Sequence, residues 1–501
     1  MSGAGETPGA RGLPPGLAIR SLWLIAAAAV GALLLARLVQ VSMFFDGGIY
    51  ASVARNLAEG RGDVWRLHFS DALFPVFSEH PPLMMWLQAL AFSTFGDGIA
   101  VEKGFSLLTF VICAVLLHRL WLRLHERDAA MRLAFPLALV LVLVSGRVAW
   151  GFANGLLENL VAVFSLTAVL AILVAQGPSA RGSPSRRALL MAAAGVAVSL
   201  SMLTKGPVGL FPLATPAIHW LVFRQAPLRD GVADTLVMLS VIVACFGALL
   251  SVDASREAIG RYLDAQLFAS LSGDRGRYGG GPYVVRKILG INGYALLIVA
   301  LLALAGRRLL GVDDDGDTRR LRWKRAAFLL LVGLSASLPI GLSPRVANFY
   351  FNPSLFFFGS GLAVLGAPYL LAILARLNAR QAKRLFVGAL AAVLVSAAVI
   401  ARDFGRPGTD ARTIAQAAAI GQAVCPNRAD CGARLAACGE IWEDWALQTY
   451  LQRHFRLGMA RAADLEATFL LTQPGCPAAP GTTDTGVDVS PYRLLKRTGP
   501  P

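Results

Sequence analysis

The chain has 501 residues, 55% of them hydrophobic and only 16% charged, with a formal net charge of +16. Its mean hydropathy is +0.58, and a soluble protein of this length would carry far more charge. Apolar runs near twenty residues recur along it, the length that a bilayer of about 30 Å requires of a spanning helix, so the composition excludes a soluble protein and indicates a polytopic membrane protein.

The positive charge does not point to nucleic acid. With the N-terminus inside, six segments fall on the cytoplasmic side: 1–20, 119–132, 181–187, 224–229, 307–325 and 376–384. Together they hold nearly half of the 47 Lys and Arg, and the short loops opposite are much poorer in them, which is the positive-inside bias.

In chain order, a Gly/Pro-rich tail (1–20) leads into a first span at 21–43. No small-residue cleavage site follows it, so it reads as a retained anchor. A loop of about fifty residues (44–103) follows, far longer than a mere connection needs. In it, Ile49, Val53, Ala54 and Leu57 recur at helical spacing with Arg55, Asn56 and Glu59 on the other face. A second such helix, 83–95, begins after the pair Pro81-Pro82, well placed at a helix start. Both are expected to lie in the membrane interface as a floor. Spans are then expected near 104–124, 133–150, 157–175, 188–203, 208–223 and 232–252. A second outer loop (253–289) is followed by four more spans, the last near 385–401. That makes about eleven, followed by a soluble tail, 402–501. No inverted-repeat pair of broken spans is visible, which counts against a secondary transporter.

Candidate chemistry sits at span ends on the outer side. Asp46, at the exit of the first span, can orient or deprotonate an acceptor, or bind a metal; the plainer reading is a solvated acid at the membrane boundary. Glu79 and His80 precede the Pro pair, as a helix-start acid beside an interface histidine or as part of a site. With Asp46 they also suggest a metal site, but two of the three are adjacent and the spacing is not diagnostic, so a divalent metal is an option and not a requirement. Glu158 opens the fourth span, where an acid is costly and by default functional. Lys205, between two spans on the outer side, runs against the charge bias and suits a phosphate; alternatively it snorkels. Arg345 and Tyr350 lie at the junction of spans nine and ten. Arg256, Arg261, Arg275 and Arg277 populate the second outer loop, where they suit lipid phosphates or simply face water.

Of six cysteines, Cys113 and Cys245 fall within apolar runs as small core residues. Cys425, Cys431, Cys438 and Cys476 lie in the tail; on the outer side of the membrane, an oxidising compartment, disulfides are expected in preference to a zinc site, for which no CxxC is present.

In order along the chain, DGGIYASVARNLAEG, EHPPLMMWLQALAFSTFGD, LTKGPVGL and SPRVANFYFNP resemble motifs of bacterial GT-C glycosyltransferases of the protein O-mannosyltransferase-like superfamily. That group includes the aminoarabinose transferase acting on lipid A. The similarity covers roughly residues 20–375. It implies a transferase that takes a sugar from a polyprenyl-phosphate carrier at the outer face of the inner membrane, with inversion. By position, Asp46 would be the acid of the reaction centre, with Glu79 and Glu158 as accompanying acids. Lys205, Arg345 and Tyr350 would stand near the donor phosphate, and His80, Arg55 and Arg275 in the acceptor or donor loops. The chain departs from the family pattern where Gly47 follows Asp46 in place of a second acid, at His80 where Lys is common, and at Glu158 where Asp is common.

The expectation is therefore an all-α polytopic membrane protein of the GT-C fold with periplasmic juxtamembrane helices. It has three parts: a cytoplasmic tail (1–20), a membrane domain (21–401) and a small soluble periplasmic α/β domain (402–501). Its partners would be a polyprenyl-phosphate-linked sugar, a lipid or protein acceptor such as lipid A, and membrane lipids, with no nucleic acid. The rivals are a lipid or glycan transporter and a non-catalytic envelope-assembly protein.

Overall fold

The computed structural model describes residues 14–177, 180, 182–268, 281–307, 316–343, 346–426, 434–462, 467–476 and 480–498. Helix α1 (Gly16–Leu38) passes through a π-helical stretch at Val30–Leu35. The first loop carries α2 (Phe45–Ala58) and α3 (Leu83–Phe95). After α4 (Ile99–Leu124), the helices α5 (Phe135–Leu143) and α6 (Arg147–Ala153) meet at 74°. Helices α7 (Leu157–Ala175), α8 (Pro184–Lys205), α9 (Thr215–Phe223) and α10 (Leu228–Leu250) follow. The second loop carries α11 (Asp253–Tyr262). Then α12 (Gly281–Ile291) and α13 (Gly293–Gly306), bent by 52°, lead to α14 (Gly316–Ser337), α15 (Asn352–Ala375) and α16 (Ala379–Asp403).

Among the described residues, eight helical stretches are long and apolar enough to cross a membrane, or ten when each bent pair is taken as one span. One of them, Pro184–Phe223, doubles back on itself, because Gly209 packs against the backbone of Ser201 and Met202. The expectation from hydropathy, about eleven, is slightly higher than this count of eight to ten. The outward faces of α10, α13 and α16 expose Leu236, Val243, Leu297, Leu301, Leu304, Leu390 and Leu394. Apolar side chains turned outward on helices whose polar backbone is internally satisfied are what lipid, not water, demands of a surface. The protein is a multi-pass membrane protein.

The C-terminal unit is a small α/β fold, as expected. Its sheet has the order β2-β1-β3-β5-β4. Strand β1 (Leu435–Ala437) runs parallel to β2 (Met459–Arg461) and β3 (Phe469–Thr472), while β5 (Arg493–Arg497) is antiparallel to β3 and to β4 (Thr482–Asp484). Helices α17 (Ala411–Val424) and α18 (Trp445–Phe455) pack with the sheet around a core that includes Ile420, Leu447, Leu451 and Leu471. Cys438 and Cys476 form a disulfide, and Cys425 is disulfide-bonded too; Cys431 lies outside the described residues.

Helix α18 lies directly on α2, which corrects the expectation that α2 forms part of an interfacial floor. Gly47 to Asn56 are all buried, so α2 is an interior helix between the bundle and the C-terminal unit. The face expected to be solvated is the one α18 covers: Arg55 is 1% exposed and Asn56 0%. The Arg55 guanidinium donates to the main-chain oxygens of Gln452 (3.0 Å) and Arg453 (2.9 Å) near the C-terminal end of α18, where unpaired carbonyls attract a cation. Arg453 in turn reaches back to Asp97 (2.6 Å) and Glu102 (2.8 Å). Charges withdrawn from water must be paired in this way.

Candidate active site

Helix α8 ends at Lys205 because Gly206 adopts φ +71° and ψ −147°, a conformation that essentially only glycine tolerates. A Cβ at Gly206 would also collide with the Tyr262 hydroxyl of α11. This turn projects Lys205 into the interior, where its ammonium lies 2.5 Å from Glu158 Oε1. Glu158 is in the first turn of α7, where the helix dipole favours an anion. The side chains are only 9% and 3% exposed.

The ammonium also sits over two rings, 4.8 Å from the centre of Tyr350 and 5.4 Å from that of Phe349, a cation–π arrangement. Asp46 lies in the first turn of α2 and close enough to Lys205 and Tyr50 for its charge to act on both. An aromatic cluster links its helix start to Tyr350: Phe44 lies 5.1 Å from Trp150 and 5.8 Å from Phe349, and Phe349 lies 5.0 Å from Tyr350.

Lys205, Tyr350, His80, Tyr262 and Gln266 line a cavity of about 750 Å³ whose walls are otherwise mostly apolar, among them Phe211, Leu334 and Ile340. A smaller cavity of about 90 Å³ shares His80, Pro207 and Tyr262 with it. Residues 253–268 of the second loop pack against the first loop here. Glu79 accepts a hydrogen bond from Gln266, Arg66 pairs with Glu257 at 2.9 Å, and Arg261 Nε donates to Ser78 at 3.3 Å.

The structure thus brings Asp46, Glu158, Lys205 and Tyr350 together, with His80 on the cavity wall and Glu79 beside it. It sets Arg55 apart: that guanidinium does not line the cavity and holds the C-terminal unit, so the expectation of a loop residue facing donor or acceptor is corrected. Arg345 and Arg275 lie outside the described residues. Among the described residues, no group of three His, Cys, Asp or Glu side chains is close enough to hold a metal ion.

Tyr50 was missed from the sequence. One helical turn after Asp46, it is 3% exposed and meets the His80 ring edge-on at 5.6 Å. Burial, and then the charges of Asp46 and Glu158, push its phenol well above its usual range, so it stays neutral among acids. The i, i+4 spacing from Asp46 was the available signal.

Residues 79–250 match the family model for dolichyl-phosphate-mannose-protein mannosyltransferases. The structure is similar to ArnT from Cupriavidus metallidurans bound to undecaprenyl phosphate: TM-score 0.62 at 17% identity, over 96% of this chain and 99% of that one. The apo form of the same protein gives 0.63 and 16% over the same shares. No curated protein matches the chain in sequence. The fold of the chain is thus like that of ArnT, and the family-model match covers about a third of its length, residues 79–250.

Proposed function

We propose that the protein transfers a sugar from a polyprenyl-phosphate carrier to an acceptor at the periplasmic face of a bacterial inner membrane. The observation that carries this reading is Lys205, a buried cation at the head of a mostly apolar cavity of about 750 Å³. A phosphate on an isoprenoid tail asks for that combination: a charge for its head and an apolar wall for its chain. The undecaprenyl phosphate bound to the similar ArnT supports the same reading.

In this reaction the bond between the sugar's anomeric carbon and the carrier phosphate oxygen breaks. Lys205 stabilises the negative charge that develops on the leaving phosphate. Glu158 holds Lys205 in place while the site is empty, and an arriving phosphate competes for the same ammonium. A hydroxyl acceptor attacks the anomeric carbon from the opposite face and gives its proton to the Asp46 carboxylate. A phosphate acceptor is already anionic and needs only orientation. Attack opposite the leaving group inverts the anomeric centre. Lipid A and its core sugars, another envelope glycan, or a protein all offer such a nucleophile.

Mass spectrometry of lipid A, lipopolysaccharide and secreted proteins tests this in three strains: a deletion, the deletion restored with the wild-type chain, and the deletion restored with Asp46→Ala. One sugar mass should vanish on deletion, return with the wild type and stay absent with Asp46→Ala at equal protein level. Full restoration by Asp46→Ala would overturn the assignment of the base, and no change on deletion would overturn the transferase itself.

A further inference from the structure

The strap that delivers Asp46, residues 41–44 between α1 and α2, has its backbone gripped from several directions. The Val41 and Ser42 N–H groups donate to the main-chain oxygens of Arg406 (2.8 Å) and Pro407 (3.1 Å). Lys103 Nζ donates to Ser42 O at 2.9 Å, and the Phe44 N–H to Asn154 Oδ1 at 2.6 Å. From the folded body of the C-terminal unit comes a side-chain grip: the Met43 N–H donates to the Tyr450 hydroxyl of α18 at 2.9 Å. That hydroxyl has one proton to give. The Asp410 carboxylate lies at 2.7 Å and the Met43 carbonyl at 3.1 Å, so the charged acceptor takes it and the oxygen's lone pair is turned towards the Met43 N–H.

The two glycines after Asp46 complete the fit. A Cβ at Gly47 would strike the Asn154 carbonyl at 1.8 Å, and one at Gly48 would strike Thr449 Cγ2, next to Tyr450, at 2.2 Å. The Asp-Gly-Gly sequence therefore lets α2 be pressed between the Asn154 turn and α18.

We infer that the C-terminal unit sets the place of Asp46 through the Tyr450 hydroxyl, which makes Tyr450 a positioning residue for the proposed base. This goes beyond a tail that selects the acceptor, and it rests on the transfer reaction proposed above. Removing the hydroxyl leaves a buried N–H without its partner, and the strap moves to satisfy it. The ring itself stays packed, stacked on His454 at 5.8 Å, so Tyr450→Phe keeps the fold.

The test compares the wild-type full chain with Tyr450→Phe in lipid nanodiscs by three measurements. They are hydrogen exchange along the chain, affinity for undecaprenyl phosphate as probe, and the rate and pH profile of sugar transfer when the protein is added to membranes of the deletion strain. Exchange at residues 43–48 should rise about tenfold, while the C-terminal sheet and α15 exchange as in the wild type. The transfer rate should fall about tenfold to a hundredfold, the scale of a displaced catalytic group. Its acid limb should shift, and the undecaprenyl phosphate affinity should stay within about twofold.

Unchanged exchange at 43–48 overturns the inference, as does a transfer rate equal to the wild type's. Faster exchange throughout the C-terminal unit also overturns it, because the role is then structural. Absence of transfer by the wild-type chain sinks the transferase reading separately, and the exchange data still decide whether Tyr450 holds the Asp46 strap.

Discussion

Lys205 and Glu158 meet at 2.5 Å inside the bundle, although 47 residues separate them in the sequence. Both side chains are almost wholly withdrawn from the surface, so each charge depends on the other. Removing one partner of such a pair typically costs about 3–5 kcal/mol, because a bare charge is left behind. Lys205→Met should therefore lower the melting temperature in detergent. Adding Glu158→Gln should recover most of that loss without recovering sugar transfer. Independent, additive losses in the double variant would show that the pair is not coupled.

Undecaprenyl phosphate should raise the melting temperature of the wild-type chain and leave that of the Lys205→Met, Glu158→Gln double variant nearly unchanged. A ligand stabilises only the state it binds, and its phosphate has then lost its cation. Equal stabilisation of both proteins would place the phosphate elsewhere.

Asp46→Asn keeps the shape of the side chain and removes its basicity. If the acceptor is a hydroxyl, the transfer rate should fall by about 10²–10⁴, the usual contribution of a general base, with undecaprenyl phosphate affinity unchanged. If the acceptor is a phosphate, the fall should be far smaller. The size of the effect thus reports the chemical class of the acceptor before its identity is known.

The seat of the C-terminal unit should loosen in acid. Partial burial of Glu59 pushes its carboxyl up, but the hydrogen bond and charge of Arg456 outweigh this and hold it below the ordinary 4.5. A group depressed in the folded state contributes stability above its unfolded pKa, and that stability is lost as the pH falls through the folded value. Hydrogen exchange in α18 should therefore quicken as the pH drops from 5 towards 3, after correction for the intrinsic rate. Arg456→Met should exchange faster already at pH 6 and show a smaller acid step. Identical acid steps in the two proteins would remove Glu59 from the account.

Gly206→Ala should destabilise the protein by about 1–3 kcal/mol through its backbone conformation alone, and should also push Tyr262 from the cavity wall. Combining it with Tyr262→Phe should relieve the contact with the hydroxyl and leave the backbone cost. Thermal unfolding of the three variants separates the two contributions.

What the sequence disclosed followed from how far each signal reaches. Asp46, Glu158, Lys205 and Tyr350 were legible because each is a polar residue at the end of an apolar run, where its presence is costly. The spans were legible from hydropathy, to within a few in number. The surroundings of Arg55 and Asn56 were not. Their polarity marks a solvated face in any local reading, and the helix that covers that face lies 397 residues further on for Arg55 and Gln452. Tyr50 escaped for a similar reason, since an aromatic on a mixed helix looks like core until the acids around it are seen.

The hydrogen bond from Met43 to Tyr450 spans 407 residues, and this has a bearing on biogenesis. Membrane helices are laid down from the N-terminus as the ribosome proceeds, so the strap before Asp46 enters the bilayer long before its final anchor exists. A half-made chain has Asp46, Glu158 and Lys205 but not yet the helix that holds Met43. The Met43 N–H gains its Tyr450 partner only once α18 has been made and folded, so the proposed site reaches its final form late in synthesis.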